Sequence, residues 1–242
     1  MTDTGVLMPR RRELQPLPYW PDYKTSITRS PSLPLLSMES TPSEEAGPRF
    51  GHSMLGPLDN NLILNYTQGQ AAAVGERVRV HGRVLDETGR PVPQTLIEIW
   101  QANAGGRYRH IKDTYFAPLD PNFGGCGRTI TDENGFYEFM TIRPGAYPWP
   151  NRANDWRPMH IHFSIFGHSF GQRLISQMYF EGDPLIERCP IAATIRSRSQ
   201  LDRLVAPLDM QNSRAMDYLA YKFDIVLRGR RQTMFENKPE GM

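Results

Sequence analysis

Residues 76–86 read ERVRVHGRVLD. Val78, Val80, Gly82 and Val84 fall at every second position, with Arg77, Arg79, His81 and Arg83 between them. Side chains of an extended chain alternate between two faces, so this spacing predicts a strand with valines turned to a core and a basic face turned away. DETGRP at 86–91 then supplies residues that end a strand in a turn. Outward from this stretch, TLIEIWQA (95–102), HIHFSIF (160–166), RLISQMYF (173–180) and KFDIVLRG (222–229) read as further short strands. RTITDENGFYEFMTI (128–142) reads as a hairpin about Asn134-Gly135, a pair favoured by tight type I′ turns. Only QLDRLVAPLDM (200–210) has a helical look, and Pro207 limits it. Many short strands, punctuated by Gly and Pro and without alternating helices, predict an all-β fold. The expected architecture is a mainly antiparallel β-sandwich with long irregular loops.

The 242 residues are 39% hydrophobic, a length and composition that suit one domain with a full core plus an extension. The expected division is an extended N-terminal arm over 1–60 and the sandwich over 61–242. The arm is rich in proline, serine and charge, yet PLPYWPDYKTSITRSPSLPL (16–35) carries Tyr19, Trp20 and Tyr23, which is unusual for a disordered tail. Such a segment is expected to lie irregularly against this chain or a partner. A net charge of +2, with no basic stripe interleaved with aromatics, speaks against nucleic acid. Arg10, Arg11 and Arg12 read as a solvated run. Two cysteines without a C-x-x-C pair make no disulfide framework. The first residues lack the apolar stretch of a secretory signal, and no apolar run of about 18 residues occurs, so a cytoplasmic location is expected.

The sharpest chemical feature is His160-Ile161-His162. On a strand, residues two apart share a face roughly 7 Å apart, so two imidazoles can converge on one metal ion. An H-x-H pair alone is a weak signal, and surface or core-edge histidines explain it equally well. Tyr108 and Tyr147 lie upstream, in GGRYRH and RPGAYPWP. A phenol with a pKa of about 10 must lose its proton to bind a metal, which a hard trivalent cation can drive. Such oxygen donors suit ferric iron better than zinc or copper(I). Taken singly, each tyrosine reads more simply as a buried aromatic with a bonded hydroxyl. Gly167-His168-Ser169-Phe170-Gly171 matches a hydrolase G-x-S-x-G elbow, but no histidine follows His168 to complete a Ser, acid, His order. HExxH, P-loop and GxGxxG signatures are absent from the sequence.

Four segments together resemble the intradiol ring-cleavage dioxygenases. They are DETGRPVPQTLIEIWQANAGGRYRH, DPNFGGCGRTITDENGFY, IRPGAYPWPNRANDWRPMHIHF and QMYFEGDPLIERCPI, in that order. The likeness runs from about Asn60 to Asn237, and PDYKTSITRSP in the arm looks like the beta chain of that family. The resemblance implies mononuclear, non-haem Fe(III) held by Tyr108, Tyr147, His160 and His162. It implies 3,4-dihydroxybenzoate and O2 as substrates, with Tyr147 released as a base and Arg157 stabilising charge on the ring. It places Tyr23, Trp149, Gln177 and Ile191 at the substrate, and implies a homologous alpha chain as partner. Arg157, just before Pro158, is expected on an extended segment, with a surface ion pair to Asp155 as the simpler reading. Cys126 is expected to be a buried free thiol without chemistry. The alternatives are a catechol or hydroxyquinol 1,2-dioxygenase, and a transthyretin-like binding module that needs no metal.

Overall fold

The computed structural model describes residues 16–30, 33, 52–67, 69, 71–166 and 173–227. The G-x-S-x-G stretch and Arg10–Arg12 lie outside them. Strand β1 (Arg77–Asp86) is the hub of one sheet. It pairs antiparallel with β4 (Phe136–Ile142) and parallel with β11 (Tyr218–Lys222) and then β12 (Ile225–Leu227). β10 (Leu208–Arg214) pairs antiparallel with β11 and closes that side. The second sheet runs in the order β3 (Cys126–Ile130), β2 (Leu96–Trp100), β7 (His160–Phe166), β8 (Arg173–Phe180) and β9 (Val205–Ala206). A two-residue pairing joins β5 (Tyr147–Pro148) to β6 (Trp156–Arg157). The fold is thus a β-sandwich with mixed sheets, six strand pairings among the described residues being antiparallel and three parallel.

The alternation in β1 does what its spacing predicts. Val78, Val80 and Val84 are fully buried, and they meet Ile97, Ile99, Ile161, Phe163 and Ile165 of the opposite sheet in one core. Phe163 anchors that interface, its ring 5.9 Å from Phe139 and 5.1 Å from Phe223. Truncating it to alanine would cost about 3–5 kcal/mol through lost burial and a cavity. His81 departs from the exposed face assigned to it. It is buried, with Nε2 3.0 Å from the carboxylate of Asp209, which reaches it from β10, two strands over in the same sheet.

Several local expectations are corrected. Asn134-Gly135 does not close a hairpin, because β3 and β4 belong to different sheets. The Asp132 carboxylate accepts from the Asn134 and Phe136 amides, and only Gly135 takes a positive φ, +69°. A type I′ turn needs both central residues left-handed, so the aspartate-capped corner wins and carries the chain between sheets. The QLDRLVAPLDM region keeps one helical turn, α2 (Arg198–Leu201), and a 3-10 turn before Val205 enters β9. The arm is not wholly irregular, since Lys24–Arg29 form a short helix, α1. Cys126 is exposed at the start of edge strand β3, and the buried thiol is Cys189.

Candidate metal centre

β7 carries the two histidines as its spacing requires. Ile161 and Phe163 are fully buried in the core, so His160 and His162 turn to the other face. The His160 Nδ1 lies 2.6 Å from the Pro158 carbonyl oxygen, which can only accept. Nδ1 therefore carries the proton and leaves the Nε2 lone pair facing the site. The His162 ring stacks on Trp100, 4.8 Å away and nearly parallel, because β2 pairs with β7 in the register Trp100–His162.

The tyrosines arrive on two loops. Tyr147 opens β5 opposite Arg157 of β6, so the small pairing brings both side chains to the end of β7. Tyr108 lies in the loop after β2, its amide donating to Asp113 Oδ2 at 2.8 Å. These loops touch at two glycines. A Cβ at Gly106 would lie 2.3 Å from the Ala146 carbonyl oxygen, and one at Gly145 2.4 Å from that of Ala104. Gly106 also holds φ at +80°, which bulkier residues rarely adopt. The close approach sets the Tyr108 and Tyr147 rings edge to face at 5.5 Å.

Four donor atoms converge as a result. Tyr108 Oη lies 3.1 Å from His162 Nε2 and 3.4 Å from His160 Nε2, and Tyr147 Oη lies 3.5 Å from His160 Nε2. Ligands bound at about 2 Å to one small cation sit about 3 Å apart, so the spacing fits a single ion. Among the described residues no group of three His, Cys, Asp or Glu side chains could hold a metal, so a metal here needs the tyrosines. Burial pushes Tyr108 well above its ordinary pKa, the neighbouring Tyr147 adding to the effect. Burial also raises Tyr147, against the pull of Arg157. Burial and then the Arg157 charge lower His162 to about 4 and His160 well below its usual value. Both imidazoles are thus neutral at pH 7 and ready to bind, whereas the phenols yield protons only to a strongly polarising cation.

An open cleft of about 1020 Å³ lies over these atoms, lined by Trp100, Tyr108, Tyr147, Trp149, Trp156 and His162 among others. Tyr23 reaches its edge from the arm, with its ring 5.4 Å from Trp149. Asn151 ties the arm in place, accepting from the Lys24 amide at 2.7 Å and donating to the Asp22 carbonyl at 2.6 Å. Gln177 and Ile191 are not among the residues that line the cleft. Gln177 instead accepts a hydrogen bond from Arg157, and Ile191 packs beside Tyr179, Ile186 and Cys189. Arg157 is only 4% exposed, with its guanidinium 5.8 Å from the Trp149 ring centre. The surface ion pair to Asp155 is absent, because that carboxylate is taken by Asn151 and Arg152.

The N-terminal and catalytic regions both match known families. A family described as "Dioxygenase" matches residues 45–229, and one described as "Protocatechuate 3,4-dioxygenase beta subunit N terminal" matches residues 8–41. The protocatechuate 3,4-dioxygenase beta chain of Burkholderia cepacia is 47% identical over 236 residues, covering 98% of this chain and 100% of that one. The chain belongs to the intradiol dioxygenases, in their beta-chain branch. The branch is set by the arm and by full-length identity. The protocatechuate 3,4-dioxygenase alpha chain of Pseudomonas putida is 29% identical, over 84% of this chain and 98% of its own length. The crystal structure of a 3-chlorocatechol 1,2-dioxygenase from Rhodococcus opacus superposes on this dioxygenase with a TM-score of 0.54. It covers 79% of this chain and 71% of its own at 22% identity, a likeness of fold. Among the described residues of the dioxygenase, no helix is long and apolar enough to cross a membrane.

Three site residues escaped sequence reasoning. Trp100 needs the β2–β7 register to be seen, and no single-chain pattern encodes it. Tyr179 and Cys189 approach Arg157 only in the folded dioxygenase. The one local signal was Gln177-Met178-Tyr179, which repeats the His-x-His spacing one strand over.

Proposed function

We propose that this chain is the iron-binding beta subunit of a protocatechuate 3,4-dioxygenase, opening 3,4-dihydroxybenzoate between its hydroxylated carbons to 3-carboxy-cis,cis-muconate. The observation that carries the reading is the convergence of two phenol oxygens and two imidazole nitrogens, linked by three oxygen-to-nitrogen contacts of 3.1–3.5 Å, beneath the aromatic-lined cleft. Tyr108, Tyr147, His160 and His162 are the residues that hold the metal. Ferric iron, when bound there, supplies a hard Lewis acid that draws both catechol oxygens and makes the ring reactive toward O2.

The residues divide the remaining work. Tyr147 sits on the short β5–β6 pairing rather than on a long strand, so its side chain is free to move, and its Oη, once ionised, would accept a hydroxyl proton from the incoming catechol. His160 and His162 are fixed by the Pro158 carbonyl and the Trp100 ring, which keeps the site assembled while Tyr147 moves. Arg157 places a buried positive charge beside the ligands, where it stabilises negative charge developing on the ring as the ring reacts with O2. Trp149 and Trp156 form an apolar wall for the flat ring, with Tyr23 at its carboxylate end. Both atoms of O2 enter the product, so no external reductant is required.

A homologous alpha chain is the proposed partner. Ile111 and Phe116, 94% and 88% exposed, lie on the loop that follows Tyr108 at the cleft, and large apolar side chains so placed suit a covering subunit. Oxygen uptake by the iron-loaded chain, alone and co-expressed with its partner, tests the reading. The iron-loaded protein should show a broad visible phenolate-to-iron band, and protocatechuate should be consumed fastest. Faster uptake with catechol or hydroxyquinol would move the assignment to the single-chain 1,2-dioxygenases, and a colourless protein would return it to a binding module.

A further inference from the structure

Behind the metal ligands lies a polar cluster that the reaction described above does not use. β8 pairs with β7 so that Tyr179 stands opposite His160 and Gln177 opposite His162. Directly opposed residues project from the same face, so Gln-x-Tyr forms a second row beside His-x-His. The Gln177 Oε1 accepts from the Arg157 guanidinium and, at 3.2 Å, from the Tyr179 hydroxyl. The Tyr179 hydroxyl and the Cys189 thiol also reach the guanidinium. Tyr179 and Cys189 are both 1% exposed, so water does not share these contacts.

None of these partners is a carboxylate. Among the described residues no carboxylate pairs with Arg157, although its guanidinium is buried and its Nε lacks a partner. A buried cation is ordinarily paired, because leaving it unpaired carries a heavy desolvation penalty. From this geometry we infer that Gln177, Tyr179 and Cys189 form a carboxylate-free cradle that positions Arg157 while leaving its positive charge free to act on the substrate. The inference rests on the reading of Arg157 given above. Tyr179 is the positioning residue that orients Gln177. Its hydroxyl bonds the same oxygen that Arg157 uses, so the amide cannot turn its NH2 toward the guanidinium. A carboxylate at position 177 would hold Arg157 more tightly and cancel its charge.

Gln177→Glu separates holding from neutralising. In the metal-free chain its urea midpoint should rise, because an ion pair replaces a bond to a neutral amide. In an Arg157→Met background the same substitution should lower the midpoint, since it buries an unpaired carboxylate. In the iron-loaded chain Gln177→Glu should keep iron content and the visible band while kcat falls about a hundredfold, the scale of a lost electrostatic stabiliser. Tyr179→Phe should lower kcat about tenfold with KM changed less than threefold, and should add nothing to Arg157→Met. A midpoint shift of the same sign in both backgrounds would overturn the cradle. Tyr179→Phe and Arg157→Met effects that multiply would show that Tyr179 does not act through Arg157. Full turnover in Arg157→Met would instead remove the electrostatic role given to Arg157, and the sign reversal in the metal-free chain would still decide the cradle.

Discussion

Loading ferric iron into the metal-free protein at pH 7 is expected to expel protons from Tyr108 and Tyr147 and none from His160 or His162. Burial raises both phenols, so each is protonated before the metal arrives. His162 titrates at about 4 and His160 well below its usual value, so neither imidazole has a proton to lose at its free nitrogen. The protein ligands should therefore release about two protons, and the affinity should rise about a hundredfold per pH unit across neutrality. Isothermal titration of metal-free protein with ferric nitrilotriacetate, in PIPES and in HEPES, reads the proton count from the difference in buffer ionisation heat. Tyr108→Phe and Tyr147→Phe should each release one proton fewer than the parent, a difference in which chelator and solvent contributions cancel. Release that is unchanged in Tyr147→Phe would refute Tyr147 as an ionised ligand. A count that drops in His162→Gln would refute the neutral-imidazole argument.

The depressed His162 also links pH to stability in the metal-free protein. Its folded pKa of about 4 lies below the ordinary 6.5, so the unfolded chain takes up the proton first. The contribution is complete above pH 6.5 and is lost as pH falls toward 4, amounting to about 3 kcal/mol in urea titrations. His162→Gln should flatten that window, and an unaltered curve would count against the burial argument. Gly106→Ala would set a Cβ 2.3 Å from the Ala146 carbonyl oxygen at a left-handed φ. It should cost roughly 1–3 kcal/mol of stability and most of the bound iron by shifting Tyr108; full iron occupancy in this variant would contradict the loop contact. Asn151→Ala removes two hydrogen bonds that join the arm to the loop after β5 and a third, to Asp155, that braces Asn151. Trypsin cleavage at Lys24 or Arg29 should then quicken about tenfold, a little over 1 kcal/mol, and equal rates would mean that the arm is held elsewhere.

Some of this protein is local and therefore readable along the chain. The two-residue period of ERVRVHGRVLD and HIHFSIF depends only on the pleat of a strand, so the buried valines and the shared face of His160 and His162 needed no tertiary information. Tyr108 and Tyr147 carried no such pattern; similarity to a family singled them out, and their meeting depends on two loops touching at Gly106 and Gly145. Local reading failed where a side chain outside the pattern decided the outcome. Asp132 turned an expected hairpin into a corner between sheets, and Asp209 drew His81 out of solvent. Arg157 shows the limit most clearly. From its neighbours in sequence it read as a partner of Asp155, yet β6 sets it opposite Tyr147 and β8 presents Gln177 and Tyr179 to it. A hydrogen bond or a buried charge is settled by groups far apart in the chain, because only folding removes the water that would otherwise satisfy them.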